Sequence, residues 1–241
     1  MKNQLNKRMN YFYCLMICSC LVSFVASCKK EDKISEVSPV VSGTVADKEG
    51  ILYDWVQIGD QQWTTVNARS GTPFFRLLEP PYFTSRLISV GDTLEVKRFY
   101  NEYGNLYAFE DALALAPEGW HLPTDEDWMI LERNLGMSDT EAQRIGWRGQ
   151  HMDELLLPSE SASQLGLKMG GLVLKKGRPF WLSYTYFKDY GYYWTSTVEE
   201  ETPSGKHVYF RKLVVGGDQI GRYVTNSNEL FMSVRYVKNI K

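Results

Sequence analysis

Cysteine is nearly missing from this chain: only four occur in 241 residues, and all lie at or before position 28. Beyond Cys28 there is no sulfur nucleophile, no thiolate metal ligand and no internal disulfide. Histidine is scarce too, and His121, His151 and His207 are scattered without metal-ligand spacing. An excess of either charge is also lacking, with 27 basic against 29 acidic residues. Attachment to nucleic acid by phosphate attraction is therefore not expected. No Gly-x-Ser-x-Gly elbow, His-Glu-x-x-His helix or phosphate-binding glycine loop occurs. Carboxylates are plentiful, so a polysaccharide-processing hydrolase remains a third reading, but nothing selects a pair of them. The chain is expected not to be an enzyme, and to carry no cofactor or metal.

What is present begins at the N-terminus. Lys2, Lys7 and Arg8 form a basic head, and no charge follows until Lys29. The stretch from Tyr11 to Phe24 is mostly apolar, and small residues follow at Ala26 and Ser27, the pattern of a secretory signal peptide. The uncharged run also approaches the length of a membrane span, so an uncleaved anchor is the competing reading. Val25-Ala26-Ser27-Cys28 resembles a bacterial lipobox. That resemblance implies cleavage after residue 27 and lipidation of Cys28, with the protein held to the membrane by several acyl chains. Removal of residues 1–27 takes three of the 27 basic residues and no acid, leaving 24 against 29, a net charge of −5. Residues 28–46 read as the lipidated cysteine and a polar, flexible tether. Lys30-Glu31-Asp32 resembles the acidic export signal of surface-displayed lipoproteins in Bacteroidetes-type bacteria; an ordinary solvated charge run is the other reading.

Residues 47–241 read as one α+β domain. Ile51–Ile58 and Gln61–Val66 flank Gly59-Asp60 and suggest a β-hairpin. Ser70 to Ser85 reads as loop. Leu106, Phe109 and Leu113 fall at helical spacing. Thr124 with Asp127 forms a capping pattern, Trp128, Leu131 and Leu135 line one face of the helix it starts, and Gly136 ends it. Ser138 with Glu141 starts a second short helix. Strands are expected near 171–175, 192–197, 207–214 and 230–237.

Six segments carry a specific resemblance: Asp47-Lys48-Glu49-Gly50, Ile58-Gly59-Asp60-Gln61-Gln62-Trp63, Gly104-Asn105-Leu106-Tyr107, Pro117-Glu118-Gly119-Trp120-His121-Leu122-Pro123, Gly191-Tyr192-Tyr193-Trp194-Thr195-Ser196-Thr197 and Ser233-Val234-Arg235-Tyr236-Val237. In this order they resemble the Fibrobacter succinogenes major paralogous domain family, common among lipoproteins of Bacteroidetes. The family is similar in fold to C-type lectin-like domains and to formylglycine-generating enzymes. The resemblance implies an α+β body with twisted antiparallel sheet, two short-to-medium helices and long loops. It implies no activity, since folds host many functions. Many members carry a cysteine pair where this chain has Ala116 and Tyr236, which suggests that these two side chains are neighbours. The enzyme branch of the fold relies on a cysteine pair, which the exported chain does not have.

The aromatic residues supply the candidate site. Residues 180–194 hold nine rings in fifteen positions. Trp181, Tyr184, Tyr186 and Tyr190, in a stretch read as irregular loop, are the candidate stacking residues, with Asp189 as a hydroxyl contact. Packing of these rings onto the sheet is the alternative. Calcium-dependent sugar binding is not expected, because the Glu-Pro-Asn and Trp-Asn-Asp motifs of lectins are absent and Glu79-Pro80-Pro81 lies in the wrong part of the chain. Glu199-Glu200-Glu201, placed in a hairpin loop, reads as solvated acid. Asp92-Thr93-Leu94 resembles a short O-glycosylation motif. The expectation is a lipid-anchored binding protein, exposed at the outer-membrane surface, whose partner is a glycan or an envelope protein. The alternative is an accessory subunit of a surface assembly.

Overall fold

Strand-forming residues on either side of Gly59-Asp60 fold back on each other as β2 (Leu52–Ile58) and β3 (Gln61–Thr64), the hairpin that the sequence predicts. The computed structural model describes residues 41–71, 100–157, 163–176 and 181–240, without the side chains of 176 and 181–183. A preceding strand, β1 (Ser42–Ala46), pairs with β2 in register Ser42–Val56. The folded body thus reaches back to Ser42, and the last five residues of the segment read as tether are sheet. The alternating Ser, Thr and Val of β1 look like linker because only half of them meet the core.

Helical caps hold where the sequence places them. In the described part of the chain, α1 (Phe109–Ala114) buries Phe109 and Ala112, whereas Leu113 is 40% exposed and Leu106 precedes the helix. A full capping box starts α2 (Asp125–Asn134): the Asp127 amide donates to Thr124 Oγ1, and the Thr124 amide donates to the Asp127 carboxylate. Ser138 caps α3 (Asp139–Ala142), but the Glu141 carboxylate accepts instead from the Gly149 amide, tying α3 to the next strand. That strand, β4 (Gly146–Arg148), leads into α4 (Met152–Leu156).

The remaining strands are β5 (Leu172–Lys176), β6 (Trp181–Thr185), β7 (Tyr190–Thr202), β8 (Gly205–Val214), β9 (Ile220–Asn226), β10 (Leu230–Phe231) and β11 (Val237–Asn239). They form three sheets, ordered β1-β2-β3-β11, β10-β5-β6 and β4-β9-β8-β7, with every strand pair antiparallel. The fold is mixed α+β with antiparallel sheets and a few short helices. Trp181–Thr185 is strand rather than loop. Glu199, Glu200 and Glu201 lie within β7, not in the hairpin turn, because β7 runs on to Thr202 before reversing at Pro203-Ser204. The sequence reading omits β9, whose inward face is Ile220 and Arg222 and whose interior holds Gly221. A buried arginine and a glycine hide the alternating apolar pattern that marks a strand.

Two apolar clusters fill the interior. One packs Trp63, Trp128, Leu131 and Tyr193 under α2. The other holds Tyr53, Tyr107, Phe109, Trp194 and Tyr236, and Ala116 packs at its margin, so the two positions expected to be neighbours join the same cluster. No helix among the described residues is long and apolar enough to cross a membrane. Cys28, Lys30-Glu31-Asp32, the 79–81 segment and Thr93 lie outside the described residues.

Candidate functional site

The β4-β9-β8-β7 sheet has two unlike faces. Residues paired directly across antiparallel strands share a face. On the inner face Arg148, Arg211 and Arg222 meet two acids of α2. On the outer face the register sets Tyr192 of β7 opposite Lys212 of β8, Lys212 opposite Gly221 of β9, and Gly221 opposite Trp147 of β4. The next row sets Trp194 opposite Phe210 and Phe210 opposite Tyr223.

These side chains form an unbroken series of ring contacts across the sheet. Centroids are 5.4 Å apart for Tyr186–Tyr190, 5.9 Å for Tyr190–Tyr192, 6.2 Å for Tyr192–Phe210, 5.9 Å for Phe210–Tyr223 and 6.0 Å for Tyr223–Trp147. Three strand spacings make the platform about 14 Å wide. Tyr192 and Phe210, in the middle of the series, are buried in the second apolar cluster, Tyr190, Tyr223, Trp147 and Lys212 are half-buried, and Tyr186 is 47% exposed. Gly221 makes room for this arrangement: a Cβ there would stand 2.5 Å from the Tyr223 ring, which leans across the glycine toward the centre of the face.

Tyr186 reaches the platform from the turn between β6 and β7. Its backbone is left-handed, φ 61°, a conformation that bulky side chains adopt only when their surroundings impose it. Its carbonyl accepts from the Asp189 and Tyr190 amides at 3.2 and 3.0 Å, and the Lys188 amide donates to the Met169 carbonyl at 2.9 Å. The turn is fixed further by a close crossing of two sheets. Gly171 and Gly191 bridge in parallel, and a Cβ on either would lie 2.5 Å from the Thr185 carbonyl or 2.7 Å from that of Lys168. The ring of Tyr186 is thereby set against Tyr190 and Tyr192.

Of the expected site residues, Tyr186 and Tyr190 come together on the platform. Asp189 stands beside them with an exposed side chain, its carbonyl accepting from the Val215 amide at 2.9 Å. Tyr184 leaves the set: it is 5% exposed, and its hydroxyl donates to the Gly170 carbonyl at 3.0 Å. Burial raises its phenol far above the usual value. Trp181 lies on β6, and its side chain is outside the described residues. Sequence reasoning missed Tyr192, Lys212, Tyr223 and Trp147 as neighbours, because only sheet pairing joins residues this distant along the chain.

Among the described residues, Lys212 is the one charged side chain in the rows of the platform. Its ammonium lies 4.4 Å from the Tyr190 ring centroid and 5.6 Å from those of Trp147 and Tyr192. Among the described residues no carboxylate pairs with it. Burial lowers its pKa below the ordinary lysine value. A separate groove of about 570 Å³ lies along β1 and β2, between Gly43, Asp54, Trp55, Thr65, Gln164 and Lys168, and contains a single aromatic ring. Among the described residues no group of three or more His, Cys, Asp or Glu is placed to hold a metal ion.

A family model, the Fibrobacter succinogenes major domain, matches residues 56–238. The chain belongs to that family. No curated protein and no solved structure matches it. The segments that carry the family resemblance sit mostly away from the platform and hold the Fibrobacter succinogenes major domain together. Trp194 donates to the Tyr107 carbonyl at 2.8 Å, and His121 Nε2 meets the Asp127 carboxylate at 2.9 Å. Arg235 is fully buried and donates to the carbonyls of Thr64, Leu165 and Gly166 and to Asn67 Oδ1, at 2.6 to 2.8 Å.

Proposed function

We propose that this domain is a lectin-like binding module, without catalysis, that takes a saccharide on the outer face of the β4-β9-β8-β7 sheet. The observation that carries this reading is the ring series from Tyr186 to Trp147, in which Tyr186, Tyr190, Tyr223 and Trp147 are partly open to solvent, Tyr192 and Phe210 back them from the core, and one end is anchored by a left-handed tyrosine. Flat rings offer apolar area to the C–H faces of a sugar at little entropic cost, while phenol, indole N–H and ammonium groups at their margins address its hydroxyls. The side-chain polar atoms of Tyr186, Tyr190, Tyr223 and Trp147 have no hydrogen-bond partner among the described residues, which leaves them for a ligand. Single-stranded nucleic acid also stacks on rings, but it needs a basic track along its backbone, and among the described residues Lys212 is the one cation at the centre of this face.

The C-type lectin-like fold belongs to the same proposal, supported by the α+β architecture and family membership. So does delivery to the outer-membrane surface by lipid on Cys28. An accessory role in a surface assembly would use the same face for protein contact.

The test is a glycan array probed with the full-length protein in detergent, with and without calcium. Binding to a saccharide that survives chelation is expected. Tyr186→Ala and Trp147→Ala, at opposite ends of the platform, should each weaken it by roughly tenfold, the loss of one stacked contact of about 1.4 kcal/mol, while the far-ultraviolet circular dichroism stays unchanged. Silence across a broad array, or binding untouched by both substitutions, would overturn the reading.

A further inference from the structure

Lys212 is placed at odds with the ordinary habits of lysine. A surface lysine keeps its ammonium in water or near an acid, because an unpaired charge loses hydration when it is withdrawn. Here the ammonium is drawn in among Tyr190, Tyr192 and Trp147, half-buried, with no carboxylate in ion-pair reach among the described residues. Its cross-strand neighbours offer no anion: Tyr192 stands on one side, and on the other is Gly221, over which the Tyr223 ring leans. The opposite face of the same sheet shows the contrast, since each of its three arginines is paired with an acid of α2. Ring faces recover part of the lost hydration through their negative quadrupole. The remainder is recovered when an anion arrives.

We infer that the saccharide taken by this face is acidic, its carboxylate or sulfate held by Lys212 while neighbouring sugar rings lie on the tyrosines and Trp147. This rests on the saccharide reading above and adds the class of sugar. The chemistry needs one anionic oxygen about 3 Å from Nζ, in contact distance of the rings on either side. A charge-assisted hydrogen bond of this kind, worth about 1.5–3 kcal/mol, corresponds to roughly ten- to a hundredfold in affinity. A single pair also implies a shallow dependence on salt, unlike the steep one of a polyanion-binding surface.

The experiment is isothermal titration of the full-length protein in detergent with three sets of oligosaccharides of matched length: oligogalacturonate for carboxylate, sulfated chondroitin oligosaccharides for sulfate, and neutral glucan. A single-stranded oligonucleotide is the fourth ligand. At least one acidic set should bind tenfold or more tighter than the neutral glucan, and the stronger set identifies the anion. Lys212→Met should abolish that preference while keeping the thermal midpoint, and Lys212→Arg should retain it. Equal affinity for acidic and neutral sugars, a preference that survives Lys212→Met, or tighter binding of the oligonucleotide would overturn the inference. Failure of every saccharide to bind would overturn the saccharide reading itself and the inference with it.

Discussion

Asp127 collects more hydrogen bonds than a capping residue needs. Its carboxylate accepts from the Thr124 amide and hydroxyl at 2.8 and 2.7 Å, from Asn239 Nδ2 at 2.9 Å and from Gln61 Nε2 at 3.2 Å, and it meets His121 Nε2. One side chain thus joins the start of α2 to β3, β11 and the turn before the helix. Burial works to raise its pKa, but the bonds from His121, Thr124 and Asn239 outweigh burial and hold it well below the usual carboxylate range. Asp125 is lowered in the same way, burial being outweighed by Arg222 and Arg211. A carboxyl whose pKa is lower folded than unfolded binds fewer protons when folded. Its stabilisation is therefore complete above the unfolded value, about 4, and is lost as pH falls toward the folded value. The urea midpoint should change little from pH 7 to 5 and drop steeply below about pH 4. Asp127→Asn should lower the midpoint at pH 7 and flatten the acid limb, leaving the share that belongs to Asp125. An unchanged acid limb in Asp127→Asn would refute this assignment.

At the scale of elements, the inner face of the platform sheet is fixed by charge as much as by apolar packing. Glu132, fully buried on α2, receives Arg148 at 2.5 Å and Arg211 at 2.7 Å. Asp125, two turns earlier on the same face of α2, receives Arg211 and Arg222, each at 2.6 Å. Arg148 also donates to the Ala142 carbonyl, and Arg222 to that of Gln143, so the network ties α2 and the end of α3 to β4, β8 and β9. Burial brings the Arg148 guanidinium down to about 10, against the pull of Glu132. Such a network adds little stability over apolar packing, but removing one member leaves a buried charge unmatched. Glu132→Gln should therefore cost about 3–5 kcal/mol, read as a shift in the urea midpoint. Because the arginines set the register of β9 and β4, the same substitution should also reduce saccharide binding on the opposite face. A cost under 1 kcal/mol would show that the network is not what holds the sheet to α2.

At the scale of the whole molecule, architecture and binding face are carried by different residues. The Fibrobacter succinogenes major domain signatures supply core and joints: Trp63, Trp120, Trp194, Arg235 and Tyr236 are all buried. The platform draws mainly on residues between those signatures, so members sharing this body can differ in ligand without loss of fold. The body is fastened without disulfides, consistent with two substantial apolar clusters. The proposed route to the envelope rests on Cys28. Cys28→Ala should abolish incorporation of labelled fatty acid and shift the protein from the membrane to the soluble fraction, with the platform's affinity unchanged. Label retained in that variant would contradict the lipid anchor.

Much of the local structure was legible in the sequence because its causes are local. The β2–β3 hairpin follows from strand formers around Gly59-Asp60, and α2 and α3 follow from Thr124 and Ser138 at their caps. The six signature segments fixed family membership for the same reason, being short strings whose residues the core cannot exchange freely. Aromatic density alone marks Tyr186 and Tyr190, whose rings the fold brings together. Tyr184 looked equivalent by that measure and differs only in the direction its strand gives it, toward Gly170 and the interior. Asp125, in the first turn of α2, answers to arginines 86 and 97 residues away, and nothing local announces them. Trp147, Tyr192, Lys212 and Tyr223 gave no joint signal, since nothing along the chain relates residues that meet only through strand register. Sequence determined the β2–β3 hairpin, the capped helices α2 and α3 and the family, and left β1, β6 and β9 unread. Tertiary structure alone decided which rings share a face and that a lysine stands among them without an acid, because pairing across a sheet is a property of register and not of neighbourhood in the chain.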